Sequence, residues 1–332
     1  MNDSQQAQVV PAETVQASEA QAQEAPPAAN EAVPNDSNTN PLRIGTVLDH
    51  IQDPFDEERF KHAVARHFEA LARIYNVEQY DVLYLLDRAD ELDTWHQNRI
   101  YAAISRDPPK PIMLIIDSLG GRIEPGYLIS KTCKRLAKDR FIVAVPRQAK
   151  SAATLLALGA DEIHMGLMSE LGPIDPQFGG FPALGIRNAL EILSDLACRY
   201  PGASSMLGDF LKDKLDMRFL GFYERINESA RQYAERLLDG KVFPGSSTAR
   251  SLADHFVNHY KDHGFVIDAD ESERLLGNGI IKQGTREYEF ANAVFEMFDL
   301  IQLMLKYRLK KGVDLVGKAG EIRTFPIKSK GE

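Results

Sequence analysis

Apolar residues recur along this chain with two spacings. Between positions 56 and 75, Phe60, Val64, Phe68, Leu71 and Tyr75 fall near helical spacing, which predicts a helix with one buried face. Residues 82–86 and 112–116 are short, continuous apolar runs. Runs of that length read as strands buried on both faces. Between them, residues 90–105 read as a helix that Asp107-Pro108-Pro109 stops. The alternation continues with a helix over 123–137, Pro125 in its first turn, a strand over Phe141–Val145, a helix over 151–158 and a short strand over Glu162–Met165. Repeated strand–helix–strand units imply right-handed crossovers, so the prediction is an α/β fold with a mainly parallel sheet and additional helices.

Two later segments extend the picture. Residues 216–238 predict a long amphipathic helix, with Phe219, Tyr223, Ile226, Ala230, Tyr233 and Leu237 on one face and Gly240 as its stop. Residues 295–305 are apolar around much of a helical circumference. A face of that kind is rarely left in water on a monomer. It packs either on its own sheet or on a neighbouring subunit.

Composition narrows the class. The chain has 332 residues, 44% hydrophobic and 26% charged, in the ordinary range for a globular protein. A formal net charge of −9 argues against nucleic-acid binding, which favours a basic face. No apolar run reaches the length of a membrane span, and the N-terminus lacks the pattern of a secretory signal. The expectation is a cytoplasmic protein whose two cysteines, Cys133 and Cys198, are reduced thiols. Residues 1–40 hold no Lys or Arg and little that can form a core, so they read as a disordered acidic tail. One domain is expected over 41–305. Residues 306–332, rich in Lys and Arg, read as a solvated basic tail or a contact for an acidic surface.

The chemistry concentrates where two strands end. The first runs into Asp117-Ser118-Leu119-Gly120-Gly121, and Ser151 stands thirty residues after Gly121, ahead of Ala152 and Ala153 at a helix start. A serine there can be an N-cap. It can equally be a nucleophile facing the backbone N–H groups of a glycine loop, the two parts that acyl transfer needs.

This run, from Pro111 to Ala160, resembles the Clp protease proteolytic subunit and its signal-peptide-peptidase-A relatives, and most of all the serine dehydrogenase proteinases. The likeness begins at residues 81–87, continues through 169–177 and fades towards Gly240-Lys241 and His263-Gly264, about half the chain. It implies a Clp/crotonase-type fold, a serine endopeptidase acting on peptides or unfolded segments, no cofactor, and a homo-oligomer of four or more subunits. It implies Ser151 as nucleophile and the N–H groups of Gly121 and Ala152 as oxyanion hole. The same fold also serves acyl-coenzyme A enzymes and inactive assembly proteins.

The general base is the open position. Clp-type enzymes place a histidine before a proline downstream of the serine, where this chain has Ile174-Asp175-Pro176. Signal-peptide-peptidase-A relatives use a lysine, and the first lysines after Ser151 are Lys212 and Lys214. The candidates are therefore Asp175, Lys212 and Lys214. Lys150 adjoins the serine, but neighbouring side chains diverge. His164 reads as a half-buried core histidine. His255, His259 and His263 would form one stripe on a continuous helix, with His259 and His263 spaced to share a metal, although HEXXH is absent.

Overall fold

Three parallel strands carry the architecture: β1 (Asp81–Asp87), β2 (Ile112–Ser118) and β3 (Phe141–Val145). The computed structural model describes residues 43–178, 181–214 and 216–327, so the 1–40 segment lies outside the described residues. β2 lies centrally, with Leu86 opposite Asp117 on one side and Ile115 opposite Ala144 on the other. Beyond β3 the strand Glu162–Met165 continues in parallel, followed by Ile281–Lys282. The parallel sheet and its alternating helices form the α/β fold that the sequence predicts.

The strand composition explains its depth. All seven β2 residues are buried. Ile112, Leu114 and Ile116 face one core, and Met113 and Ile115 face the other. The first core is covered by the helices Ile123–Leu136, Ala152–Leu158 and Ala249–Asn258, and by the C-terminal half of Met217–Leu238. The second is covered by Glu57–Ile74 and Arg286–Met304. A sheet sandwiched in this way has no polar face, which is why its strands read as runs and not as alternations.

Several expectations change. The 90–105 helix begins later, as Thr94–Ala103, because Asp93 caps it: its carboxylate accepts the N–H groups of Trp95 and His96. The freed residues 88–91 form a loop beside the end of β2. The apolar 295–305 segment belongs to Arg286–Met304, whose Phe295, Phe298 and Ile301 are buried in their own sheet's core. Met217–Leu238 likewise buries Ala230, Ala234 and Leu238 within the subunit. Of the cysteines, Cys133 is buried and Cys198 is exposed.

The largest departure is at the C-terminal end. Residues expected as a tail form two strands, Lys311–Gly317 and Ile322–Pro326. The first pairs antiparallel with β1, Leu86 opposite Leu315, and the second closes on the first. Val313, Leu315 and Val316 are buried, and buried Asp314 is held by the Arg323 guanidinium at 2.6 Å. The basic residues sit on the outer positions of a strand pair, so charge count alone disguised it.

One buried ion cluster secures the 88–91 loop. His96 lies 2.8 Å from Asp93 and 3.2 Å from Asp87, whose other oxygen accepts the N–H groups of Ala89 and Asp90. Burial alone would lower the His96 pKa, but the two carboxylates outweigh it and hold the pKa above the ordinary histidine value. A raised folded pKa means that the stabilisation is complete below the unfolded value of about 6.5 and fades as pH rises through the folded one. Thermal melts of wild type and His96→Gln should therefore converge as pH is raised from about 6 upward. A gap that widens with pH would contradict this assignment.

Candidate active site

The site forms where β2 and β3 end. β2 finishes at Ser118, which pairs with Ala149 on the short strand Gln148–Ala149 that follows β3. The Lys150 N–H donates to the Ser118 carbonyl at 3.0 Å, so the two strand ends are clamped together. The chain then turns sharply into the helix Ala152–Leu158 at Ser151, with φ 49° and ψ −117°. A non-glycine residue there costs about 1–3 kcal/mol. Ser151 makes no side-chain capping hydrogen bond, so the N-cap alternative does not hold and the hydroxyl is left free. A strained serine on a strand-to-helix elbow is a recurrent way to present a nucleophile.

The glycine loop meets this elbow from the other side. Gly120 has φ 90°, and a Cβ there would lie 2.4 Å from the Lys150 carbonyl oxygen and 2.9 Å from Ser151 Cβ. Gly121 has φ 153°, and its Cβ would strike the Leu92 backbone at 2.4 Å. The Leu92 N–H donates to the Gly120 carbonyl and the Arg122 N–H to the Leu92 carbonyl, both at 2.8 Å. These bonds bypass the Gly121 N–H. Among the described residues, neither the Gly121 nor the Ala152 N–H has an acceptor. Two unpaired donors flank one serine, the arrangement an oxyanion hole requires.

Ser151, Gly120, Gly121 and His263 line one cavity of about 740 Å³, with Leu119, Ile123, Phe222 and Ile226 on its apolar walls. His263 was absent from the candidates for the base. The helix Ala249–Asn258 ends before it, so the expected histidine stripe does not form. His255 and His259 stack at 4.1 Å, while His263 turns to Asp175, Nδ1 to Oδ1 at 2.6 Å. Asp175 is 1% exposed, and its second oxygen accepts from the Gln177 amide at 2.7 Å. A buried carboxylate bonded to Nδ1 leaves Nε2 as the ring nitrogen free for chemistry. Ser151 and His263 share the cavity without a direct hydrogen bond, as in many empty sites, where such contacts tighten on substrate binding. Asp175 thus sits behind the imidazole.

The lysines go elsewhere. Lys212 is exposed on the helix Ser204–Lys214 and does not line the cavity, and the side chain of Lys214 lies outside the described residues. Lys150 is paired with Glu170 at 2.9 Å. A lysine overlooked in the sequence, Lys241, is pulled down to about 8 by burial. Its ammonium donates to the carbonyls of Leu158 and Ala160, at the far end of the Ala152–Leu158 helix. Seven residues at 1.5 Å each place it about 10 Å from Ser151, too far to take its proton. His164 is buried against Thr285 and Glu162 and does not reach the cavity. Among the described residues, no group of His, Cys, Asp or Glu gathers to hold a metal ion.

The sequence signal for His263 was faint. It lies 88 residues from Asp175, in a turn with no motif of its own. Only its following glycine, at the edge of the recognisable likeness, pointed there.

Comparison with known proteins bears on the family. Residues 91–195 match the family model described as ClpP-like SDH-type serine proteinase, so the resemblance read from the sequence holds. Two uncharacterized proteins of Methanocaldococcus jannaschii, MJ0137 and MJ1495, are each 32% identical, over 166 and 135 residues. The alignments cover 50% and 39% of this chain and 52% and 45% of theirs, so the chain spans about half the length of the curated relatives it matches. Among solved structures, two mutants of the 1510-N membrane-bound stomatin-specific protease are similar. One is 13% identical, covering 61% of this chain and 80% of that one, with a TM-score of 0.39. The other, in complex with a substrate peptide, is 14% identical, covering 75% and 89%, with a TM-score of 0.40.

The close approach of Gly120 to the elbow can be tested directly. Gly120→Ala should cost about 2–4 kcal/mol in denaturant unfolding, from positive-φ strain and overpacking. It should also abolish reaction of Ser151 with a fluorophosphonate. Wild-type reactivity in a folded alanine variant would separate this loop from the nucleophile.

Proposed function

We propose that the chain, which carries a ClpP-like, SDH-type serine proteinase region over residues 91–195, is a serine endopeptidase with Ser151 as nucleophile and His263 as general base. The observation that carries this reading is the His263–Asp175 pair opening into the cavity that holds the uncapped Ser151. It supplies the base that the local motif lacks, which counts against an inactive assembly protein.

The steps follow from the geometry. Substrate enters with its scissile carbonyl oxygen towards the Gly121 and Ala152 N–H groups. Ser151 Oγ attacks the carbonyl carbon while its proton passes to His263 Nε2, and the carbonyl π pair moves onto the oxygen. The two N–H groups stabilise that oxyanion, each donor being worth about 2.7–4 kcal/mol of barrier in comparable sites. Asp175 holds the imidazole and stabilises its charged form. Collapse breaks the C–N bond, and the leaving amine takes the proton from His263. Water, deprotonated by the same imidazole, then cleaves the ester and restores Ser151. The apolar walls and the open cleft favour an extended peptide or unfolded segment.

A fluorophosphonate should label Ser151, and Ser151→Ala should abolish both labelling and cleavage of denatured casein. His263→Ala should lower turnover about 10²–10⁴-fold, the usual worth of a general base. Undiminished cleavage by either folded variant would remove that residue from the reaction.

A further apolar surface supports a homo-oligomer. The helices Ala183–Arg199 and Ser204–Lys214 leave Ile192 60%, Met206 67% and Phe210 54% exposed, an apolar surface suited to burial against other copies. Light scattering at micromolar concentration should give at least four times the chain mass of 37.1 kDa. A mass near one chain would refute the oligomer.

A further inference from the structure

We infer that Lys150 is a positioning residue for the general base: its ammonium, bridging the carbonyls of Leu171 and Phe265, holds His263 in reach of Ser151. This inference rests on the serine peptidase reading above.

The two halves of the His263–Asp175 pair are anchored unequally. The Asp175 segment is tied in on both sides. The Gly172 N–H donates to Thr154 Oγ1 at 2.9 Å, and Thr154 Oγ1 donates to the Ala149 carbonyl at 2.6 Å. The Ile174 N–H donates to the Phe256 carbonyl at 2.9 Å. Asp175 is therefore fixed to the nucleophile's own helix and to the helix before His263. The segment from Lys261 to Val266 is different. It leaves the helix Ala249–Asn258, runs over the surface and enters the sheet at Ile267, which pairs with Leu171. Phe265 and Val266 are 42% and 52% exposed. The Gly264 and Phe265 N–H groups bond back to Asp262, within the segment itself.

Among the described residues, two hydrogen-bonded contacts join this segment to the body of the protein. One is His263–Asp175, and the other is Lys150 Nζ to the Phe265 carbonyl at 3.3 Å. The same Nζ donates to the Leu171 carbonyl at 3.3 Å and lies 2.9 Å from Glu170 Oε2. Three donors on one ammonium meet three acceptors, a fit that only a lysine of this reach provides here. The Lys150 side chain is only 12% exposed, while its bond to the Phe265 carbonyl lies at the surface. Its main chain is equally fixed, with the N–H on the Ser118 carbonyl and the carbonyl accepting from the Ala153 N–H at 2.8 Å. Lys150 is bonded directly to Ser151. Any drift of the His263 segment relative to the nucleophile must therefore stretch this staple. The position also explains why Lys150 is no base itself: its ammonium is committed to two carbonyls and a carboxylate, away from the hydroxyl beside it.

The test is the rate at which a fluorophosphonate labels Ser151, followed with the full-length protein. Lys150→Met should slow labelling about 100-fold, the cost typical of displacing a catalytic group by about an ångström. Lys150→Arg should recover at least about tenfold of that loss by keeping the charge and several donors. Lys150→Met combined with His263→Ala should label no more slowly than His263→Ala alone, because two residues acting through one group are non-additive. Glu170→Gln, which keeps the size of a side chain 25% exposed and is expected to fold, should slow labelling less, with the same non-additivity. Additive losses in the double variants, or unchanged labelling in Lys150→Met, would overturn the inference. If His263→Ala alone labels at the wild-type rate, it is the general-base reading that fails, and the Lys150 role falls with it.

Discussion

Everything at the site depends on how closely two backbones meet. The Gly120 Cα and the Lys150 carbonyl are near enough that one additional methyl carbon would sit 2.4 Å from that oxygen. This approach is set by the sheet. β2 and β3 run parallel and adjacent, and the Ser118–Ala149 pairing carries their register past the regular strands into the loops. It brings the glycine loop and Ser151 to one cavity. The energy that holds Ser151 in its strained conformation, about 1–3 kcal/mol, is supplied by the fully buried helix that follows it, in which each residue from Ala152 to Leu158 is inaccessible to solvent.

The local half of the site was legible in the sequence. The strand runs, the Gly-Gly turn and the serine before small residues are contiguous features whose geometry is dictated within a few residues. The position of His263 was not legible, because it depends on where a helix ends. His255, His259 and His263 keep a four-residue spacing that suits one helical face, yet the helix stops at Asn258 and the chain turns. Nothing in residues 259–263 announces that turn as strongly as a proline would. Asp175, a base candidate in the sequence, lies in the structure against His263 Nδ1. The C-terminal strands failed for a related reason. Lys311, Lys318 and Arg323 dominate the composition there, and their charge outweighed the short apolar signal of Val313, Leu315 and Val316 around the buried Asp314.

Charged side chains inside this protein consistently serve to fix loops. His96 with Asp87 and Asp93 sets the 88–91 loop, Arg88 reaches Asp117 at 2.6 Å beneath the glycine turn, and Arg147 joins Asn292 while stacking on Phe295. Burial pushes the Asp117 carboxyl above its ordinary value despite the guanidinium beside it. Such pairs add little net stability against hydrophobic replacements, but removing one partner leaves a stranded charge that costs about 3–5 kcal/mol. They restrict the loops around the cavity to one arrangement.

The strand Lys311–Gly317 has a consequence for how the molecule is made. It covers the edge of β1, and Lys318 beside it reaches Asp81, 237 residues earlier in the chain. During synthesis the strands bearing the serine and the glycine loop emerge long before their edge is covered. Until then the growing sheet offers a row of unpaired amides and carbonyls, the kind of surface that recruits foreign strands. A nascent chain of this protein thus carries an unfinished sheet until the strand Lys311–Gly317 emerges, the kind of interval in which exposed edges favour misassembly.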